Sequence, residues 1–325
     1  MAEIDKWQSM LTIVNQYPEL LPLNKSKTLK QQFKKIVLLR TLAENLLVFF
    51  LQYIGLKLTT FSLDPSPLWL ATGTACAYLF LRGYRVLPGI WLGNFAGFYL
   101  EKIGFNLAFE CATLLTVQGL LLLWLSFRYF SPTLIFYRLA ALIKFIVITA
   151  LLTAVISALL LGLCYSSLSN HAATIELYLK WWLANLNAIL IFSCALLTWD
   201  AFFPDINKLN LFKPRMIAFG LQIALTVALI FSHTPIITLS LGFGIMLTTI
   251  WISLVFGWCG AVTASFISTM LICFAGFLNT PLFLTYTSPM SLIILQLAIC
   301  ITAIIGLIVA LYNTKKVSIL KDTLV

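Results

Sequence analysis

From Ile36 to Tyr312 the chain is almost continuously apolar, interrupted only by short clusters of charge, proline and glycine. About 20 apolar residues carry a helix across the hydrocarbon core of a bilayer. In hydrocarbon the backbone must satisfy its own polar groups, so repeated apolar runs of that length impose helices. Only 10% of the residues are charged and 61% are apolar, whereas a soluble domain carries about 25% charged residues. The expected fold class is all-α: a polytopic integral membrane helix bundle of about ten transmembrane helices, and no fewer than about eight.

The runs place these helices near 36–56, 67–81, 84–100, 105–127, 139–164, 177–199, 215–232, 236–256, 258–278 and 289–312. Domain organisation follows: a cytoplasmic amphipathic and basic segment over 1–35, a transmembrane domain over 36–313, and a short tail over 314–325. In the first segment Ile4, Trp7, Leu11 and Val14 recur at helical spacing before Pro18 and Pro22, which suits a helix lying in the lipid interface. No apolar run near the start ends in a cleavage site, so no signal peptide is expected.

A net charge of +10 invites a nucleic-acid reading, but the distribution argues against it. With the N-terminus inside, the cytoplasmic segments collect Lys6, Lys25, Lys27, Lys30, Lys34 and Lys35, then Arg82 and Arg85, Arg128 and Arg138, Lys208, Lys213 and Arg215, and Lys315, Lys316 and Lys321. The outer segments hold only Lys57, Lys102 and Lys180. This is the positive-inside pattern. It predicts both termini in the cytoplasm and a multi-pass protein of the bacterial inner membrane, with membrane lipids rather than nucleic acid as its partners.

Gly89, Gly93 and Gly97 recur every fourth residue, which puts small residues on one helical face and lets two helices approach closely. Packing within the chain is the expected use, with a homodimer seam as the alternative. Charges inside spans are costly and ask for partners. Arg40 and Glu44 stand four apart and can neutralise each other. Lys144 lies close enough to its helix end to snorkel. Glu110 has no local partner, and is expected to reach water or face a cavity. Asn185 and Asn187 lie deep in the sixth span and must hydrogen-bond to other helices or to a ligand. Trp181 and Trp182 suit an interfacial aromatic belt.

Catalytic signatures are lacking. No deep aspartate pair, glycine-rich phosphate loop or metal-ligand spacing appears. The seven cysteines all lie in apolar runs without CxxC spacing, and the two histidines fall in loops. The chain is expected not to be an enzyme and to need no metal or cofactor.

The segment 66–100, SPLWLATGTACAYLFLRGYRVLPGIWLGNFAGFYL, resembles the signature of the MASE1 family, bacterial membrane-associated sensor domains. Trp69, Gly73, Gly83, Arg85, Pro88, Gly89 and Gly93 fill its pattern. The likeness continues through KWWLANLNAIL, through Trp251 with Phe256 and Gly257, and through Leu295 and Gln296 in the closing helix. Departures are Leu70 after Trp69, Ala184, Asn185 and Ala188 in the family's Gly-Asp-x-x-Gly element, and Val255 where the family has arginine. The resemblance implies a sensory module binding a small ligand among its helices. Because the chain stops soon after its last span, the expected output is a separate kinase, cyclase or transporter partner. A small-molecule transporter, or a substrate-capturing transporter subunit, is the alternative, since short helices broken at Pro88 and Gly89 resemble interrupted transport helices. The candidate ligand-binding residues are Trp69, Asn94, Glu110, Trp182, Asn185 and Trp251.

Overall fold

The computed structural model describes residues 23–61, 64–65, 69–102, 104–130, 135–168, 175–202, 212–278, 280, 282 and 289–323. The interfacial stretch expected around Ile4 to Val14 lies outside them. Among the described residues the protein is all but entirely helical. The only strands among them, β1 (Thr60–Phe61) and β2 (Asp64–Pro65), are two residues each and pair antiparallel.

The helices are α1 (Leu23–Thr59), α2 (Leu70–Arg82), α3 (Leu87–Leu100), α4 (Phe105–Tyr129), α5 (Leu139–Leu168), α6 (Ile175–Asn187), α7 (Cys194–Phe202), α8 (Phe212–Ile230), α9 (Pro235–Phe277) and α10 (Pro289–Thr323). A 3-10 turn, Gly83–Val86, joins α2 to α3, and a π-helical stretch, Ala188–Ser193, joins α6 to α7. Among the described residues six helices are long and apolar enough to cross a membrane: α1, α4, α5, the α6–α7 unit, α9 and α10. The protein is thus a membrane helical bundle. Helix α1 begins at Leu23 and α10 continues to Thr323, so the helices run through the boundaries expected at residues 35 and 313.

Two glycines break helices in the same way. Gly83 ends α2 with φ 65° and ψ −153°, and Gly257 interrupts α9 with φ 63° and ψ −152°. That region is open essentially to glycine alone. Pro88 stands in the first turn of α3, where its missing N–H costs nothing.

The glycine stripe is used within the chain. A Cβ on Gly93 would lie 2.5 Å from the Phe49 carbonyl oxygen, and one on Gly97 would lie 2.7 Å from Leu56 Cδ1. Gly89 meets the backbone of Asn45 just as closely. Asn45 fixes the seam by accepting from the Gly89 amide at 2.7 Å and donating to the Arg85 carbonyl at 2.8 Å. The stripe therefore packs α3 on α1, which leaves it unavailable as a homodimer seam.

Charged pairs close the two ends of this seam. Glu44 Oε1 accepts from Arg40 at 2.8 Å and lies 3.3 Å from Arg82 Nε. The expected local pair is thus a triad that ties α1 to α2. At the other end Lys57 pairs with Glu101. Lys144 is exposed near the start of α5.

A second tie holds the other half. Gln222 on α8 donates to Thr249 Oγ1 at 3.1 Å and Ser268 Oγ at 2.8 Å, and its carbonyl accepts from Thr248. Thr226 donates to Ser268 at 3.0 Å. One buried glutamine thereby staples α8 to both legs of α9.

Candidate functional site: a buried polar layer on α2 and α6

Two apolar clusters fill the interior around α2, α4, α5 and α6. One contains Trp69, Ala71, Leu115, Ile156, Trp181 and Ala184. The other contains Cys76, Leu122, Phe145, Leu186 and Ile189. On each of the four helices the change from one cluster to the other falls where the sequence is polar. Those positions are Thr72 on α2, Gln118 on α4, Thr149 and Thr153 on α5, and Asn185 and Asn187 on α6, all buried.

The layer has a hydrogen-bonded centre. Thr72 Oγ1 donates to Asn185 Oδ1 at 2.6 Å, and Asn185 Nδ2 donates to Ser157 Oγ at 3.1 Å. In hydrocarbon each of these groups left alone would cost several kcal/mol, on the order of 2–7; the chain of bonds removes that cost and fixes α2 against α5 and α6. The backbone adds its own links. The Trp69 amide donates to the Ala184 carbonyl at 3.0 Å, and Ser193 Oγ donates to the Gly73 carbonyl at 2.8 Å. Glycine is required at position 73 because a Cβ there would sit 2.5 Å from the Ala188 carbonyl oxygen.

The π-helical stretch begins at this contact. Such stretches recur at functional sites because they displace one turn of backbone from the regular ladder. Its neighbour Asn187 donates to the Gln296 carbonyl at 3.0 Å, and Gln296 donates to the Lys180 carbonyl at 3.2 Å, which docks α10 on α6.

The structure gathers three of the sequence-predicted ligand residues here. Trp69 stands at the start of α2, Asn185 holds the centre, and Trp182 donates from Nε1 to the Ala150 carbonyl at 3.0 Å while stacking on Tyr178. Asn94 is buried but stands on α3, beside the Gly93 contact with α1. Glu110 is exposed on α4, and Trp251 is 43% exposed on α9. Both face out of the bundle and belong to no interior site. Apolar residues cover both the lipid face and the core face of such helices, so hydropathy misplaces a single residue easily.

Sequence reasoning missed Gln118 and Thr149. Both are fully buried, and neither the Gln118 amide nor the Thr149 hydroxyl has a partner among the described residues. It also assigned Trp181 to the aromatic belt, whereas its ring is 7% exposed and meets Trp69 edge to face at 5.0 Å. Among the described residues no three His, Cys, Asp or Glu side chains stand together as a metal set.

The family model for MASE1 matches residues 41–316, most of the chain and the whole of this layer. The chain belongs to the MASE1 family. MASE1 domains are membrane-associated sensors, so the protein is a membrane sensory module. No curated protein and no solved structure matches it. The MASE1 motif residues now have physical reasons. Gly73 admits the Ala188 backbone, Gly83 takes the positive φ, and Gly89 and Gly93 admit α1. Asn185 stands where the MASE1 pattern has a carboxylate, and its two hydrogen bonds need no charge.

Proposed function

We propose that this MASE1 protein is a receptor of the bacterial inner membrane that binds a small ligand among α2, α5 and α6. It passes a change in helix packing to a separate cytoplasmic kinase, cyclase or transporter. The observation that carries this reading is the burial of the start of α2. The Trp69 amide is bonded to Ala184, nine residues along α6 from Ile175 and thus about 13 Å into the bundle at 1.5 Å per residue. A helix that starts inside a bundle turns the positive end of its dipole inward, an arrangement suited to ligands.

The rest of α2 is the lever. Its far end carries Arg82, held in the Glu44 triad with α1. A ligand that alters the Thr72–Asn185–Ser157 chain biases α2, and α2 biases that triad. Positive charge at the Arg82 end supports a cytoplasmic location for it. Taken with the breaks at Gly83 and Gly257, the charge pattern also supports ten crossings with both ends inside.

One observation favours transport as a second reading: the matched breaks at Gly83 and Gly257 resemble the interrupted helices of transporters. The test is affinity capture of the tagged chain from its native membrane, with mass spectrometry of co-purifying proteins and metabolites. A recurrent kinase, cyclase or transporter whose output changes with the captured metabolite supports the receptor. Uptake of that metabolite into vesicles holding this protein alone overturns it.

A further inference from the structure

The start of α2 carries open hydrogen-bonding capacity of one sign. Among the described residues no side chain caps the first turn of this 13-residue helix. Leu70, Ala71 and Thr72 are all buried, so the positive end of the helix dipole points into the protein rather than into water. Trp69 and Trp181 are 4% and 7% exposed, and neither indole Nε1 has a hydrogen-bond partner among the described residues. Their rings meet edge to face at 5.0 Å and 78°. In that geometry at most one indole N–H can rest on the other ring's π face, so at least one donor is left open.

We infer that the N-terminus of α2, with the Trp69 and Trp181 indoles, binds a small monocarboxylate with an apolar body. This deepens the receptor reading above and rests on it. The groups left open here are N–H donors, which match an acceptor, and a helix N-terminus favours a negatively charged one. A single negative charge suits the site better than two. Among the described residues no arginine is buried and Lys180, the residue before Trp181, is the only buried charge. A phosphate dianion would therefore lose its water without the cationic partners that offset such a loss. Around the donors stand Leu70, Ala71, Leu107, Ile156 and Ala184, an apolar wall for the rest of the ligand. No acidic side chain is among the buried described residues to oppose it.

The test uses the full chain in lipid nanodiscs and calorimetric titration with benzoate and its neutral isostere benzamide. Butyrate and oleate then separate a free small acid from a lipid-derived one. The expected result is saturable binding of a carboxylate, none of benzamide, and affinity lower by about ten-fold in Trp181→Phe, which keeps the ring and removes the N–H. Trp69→Phe is the second variant, and the melting of each variant without ligand shows that it is folded. Equal binding of benzamide overturns the inference. So does unchanged affinity in both variants, or no saturable binding of any of the three acids. A neutral metabolite that binds with the same tryptophan dependence would sink the carboxylate assignment and leave the receptor standing.

Discussion

Replacing Gly93 by alanine adds one methyl group where the α1 and α3 backbones meet closely, at the middle of the glycine stripe. Its Cβ would lie 2.5 Å from the Phe49 carbonyl oxygen and 2.6 Å from Gln52 Cβ, where ordinary contact begins at 3.4 Å. The helices must separate by about 0.9 Å to accept it. A gap of that size forfeits a quarter to a half of each dispersion contact, and a contact contributes about 0.15 kcal/mol. With on the order of fifty atom pairs across the seam, the loss is about 2–4 kcal/mol, near the range for overpacked cores. Lipid offers no hydrophobic gain to offset it, since packing is the main attraction between membrane helices. Equilibrium unfolding in mixed micelles, followed by helical circular dichroism, measures the change. Gly220→Ala is the control: nothing lies within 4 Å of its Cβ, and alanine there is expected to be neutral or stabilising by up to about 1 kcal/mol. If Gly93→Ala unfolds with the control, the seam is not close-packed and the argument from spacing fails.

Other expectations follow from single contacts. Gly83→Ala meets no atom within 4 Å, so its cost is conformational and should be about 1–3 kcal/mol in the same unfolding assay. Asn185→Leu leaves the Thr72 hydroxyl without its acceptor and should destabilise by about 1–3 kcal/mol, with Thr72→Val in the same chain recovering part of the loss. Glu44→Gln removes the counter-charge of Arg40 and Arg82 and should cost about 1.5–3 kcal/mol, whereas Glu110→Gln, on an exposed group, should leave stability within about 0.5 kcal/mol of wild type. Maleimide labelling of the folded protein should reach the half-buried Cys259 and Cys273 before the buried Cys76, Cys111 and Cys194, as peptide mass spectrometry would show.

Much of the architecture was legible because hydrocarbon restricts the chain so strongly. Apolar runs bounded by charge and glycine found the helices and ended beside Gly83 and Gly257, whereas the interruption expected at Pro88 and Gly89 falls within the unbroken α3, because proline in a first turn loses no hydrogen bond. Four-residue spacing identified the Gly89, Gly93 and Gly97 seam and the Arg40–Glu44 pair. Neither observation, however, indicated that Arg82 would join that pair from a different helix. The interior polar contacts were harder to read. Gln222 meets Thr249 and Ser268 across 27 and 46 residues, and nothing local in the chain encodes such a meeting. Glu110, left between water and a cavity, and Trp251, counted among the ligand candidates, both turn out exposed, because polarity and aromaticity say little about which way a membrane helix is turned. Trp181 was misassigned in the opposite direction, since an interfacial belt and a buried indole look alike in sequence.

Hydrogen exchange on the full chain in nanodiscs, with and without the small-molecule extract of its native cells, tests the central claim most directly. The receptor account predicts changed protection along α2, in the Gly83–Val86 turn and around Glu44 on α1, and predicts its loss in Asn185→Leu. Unchanged exchange throughout α2, or exchange that rises at both ends of the bundle as a transport path opens, would contradict it.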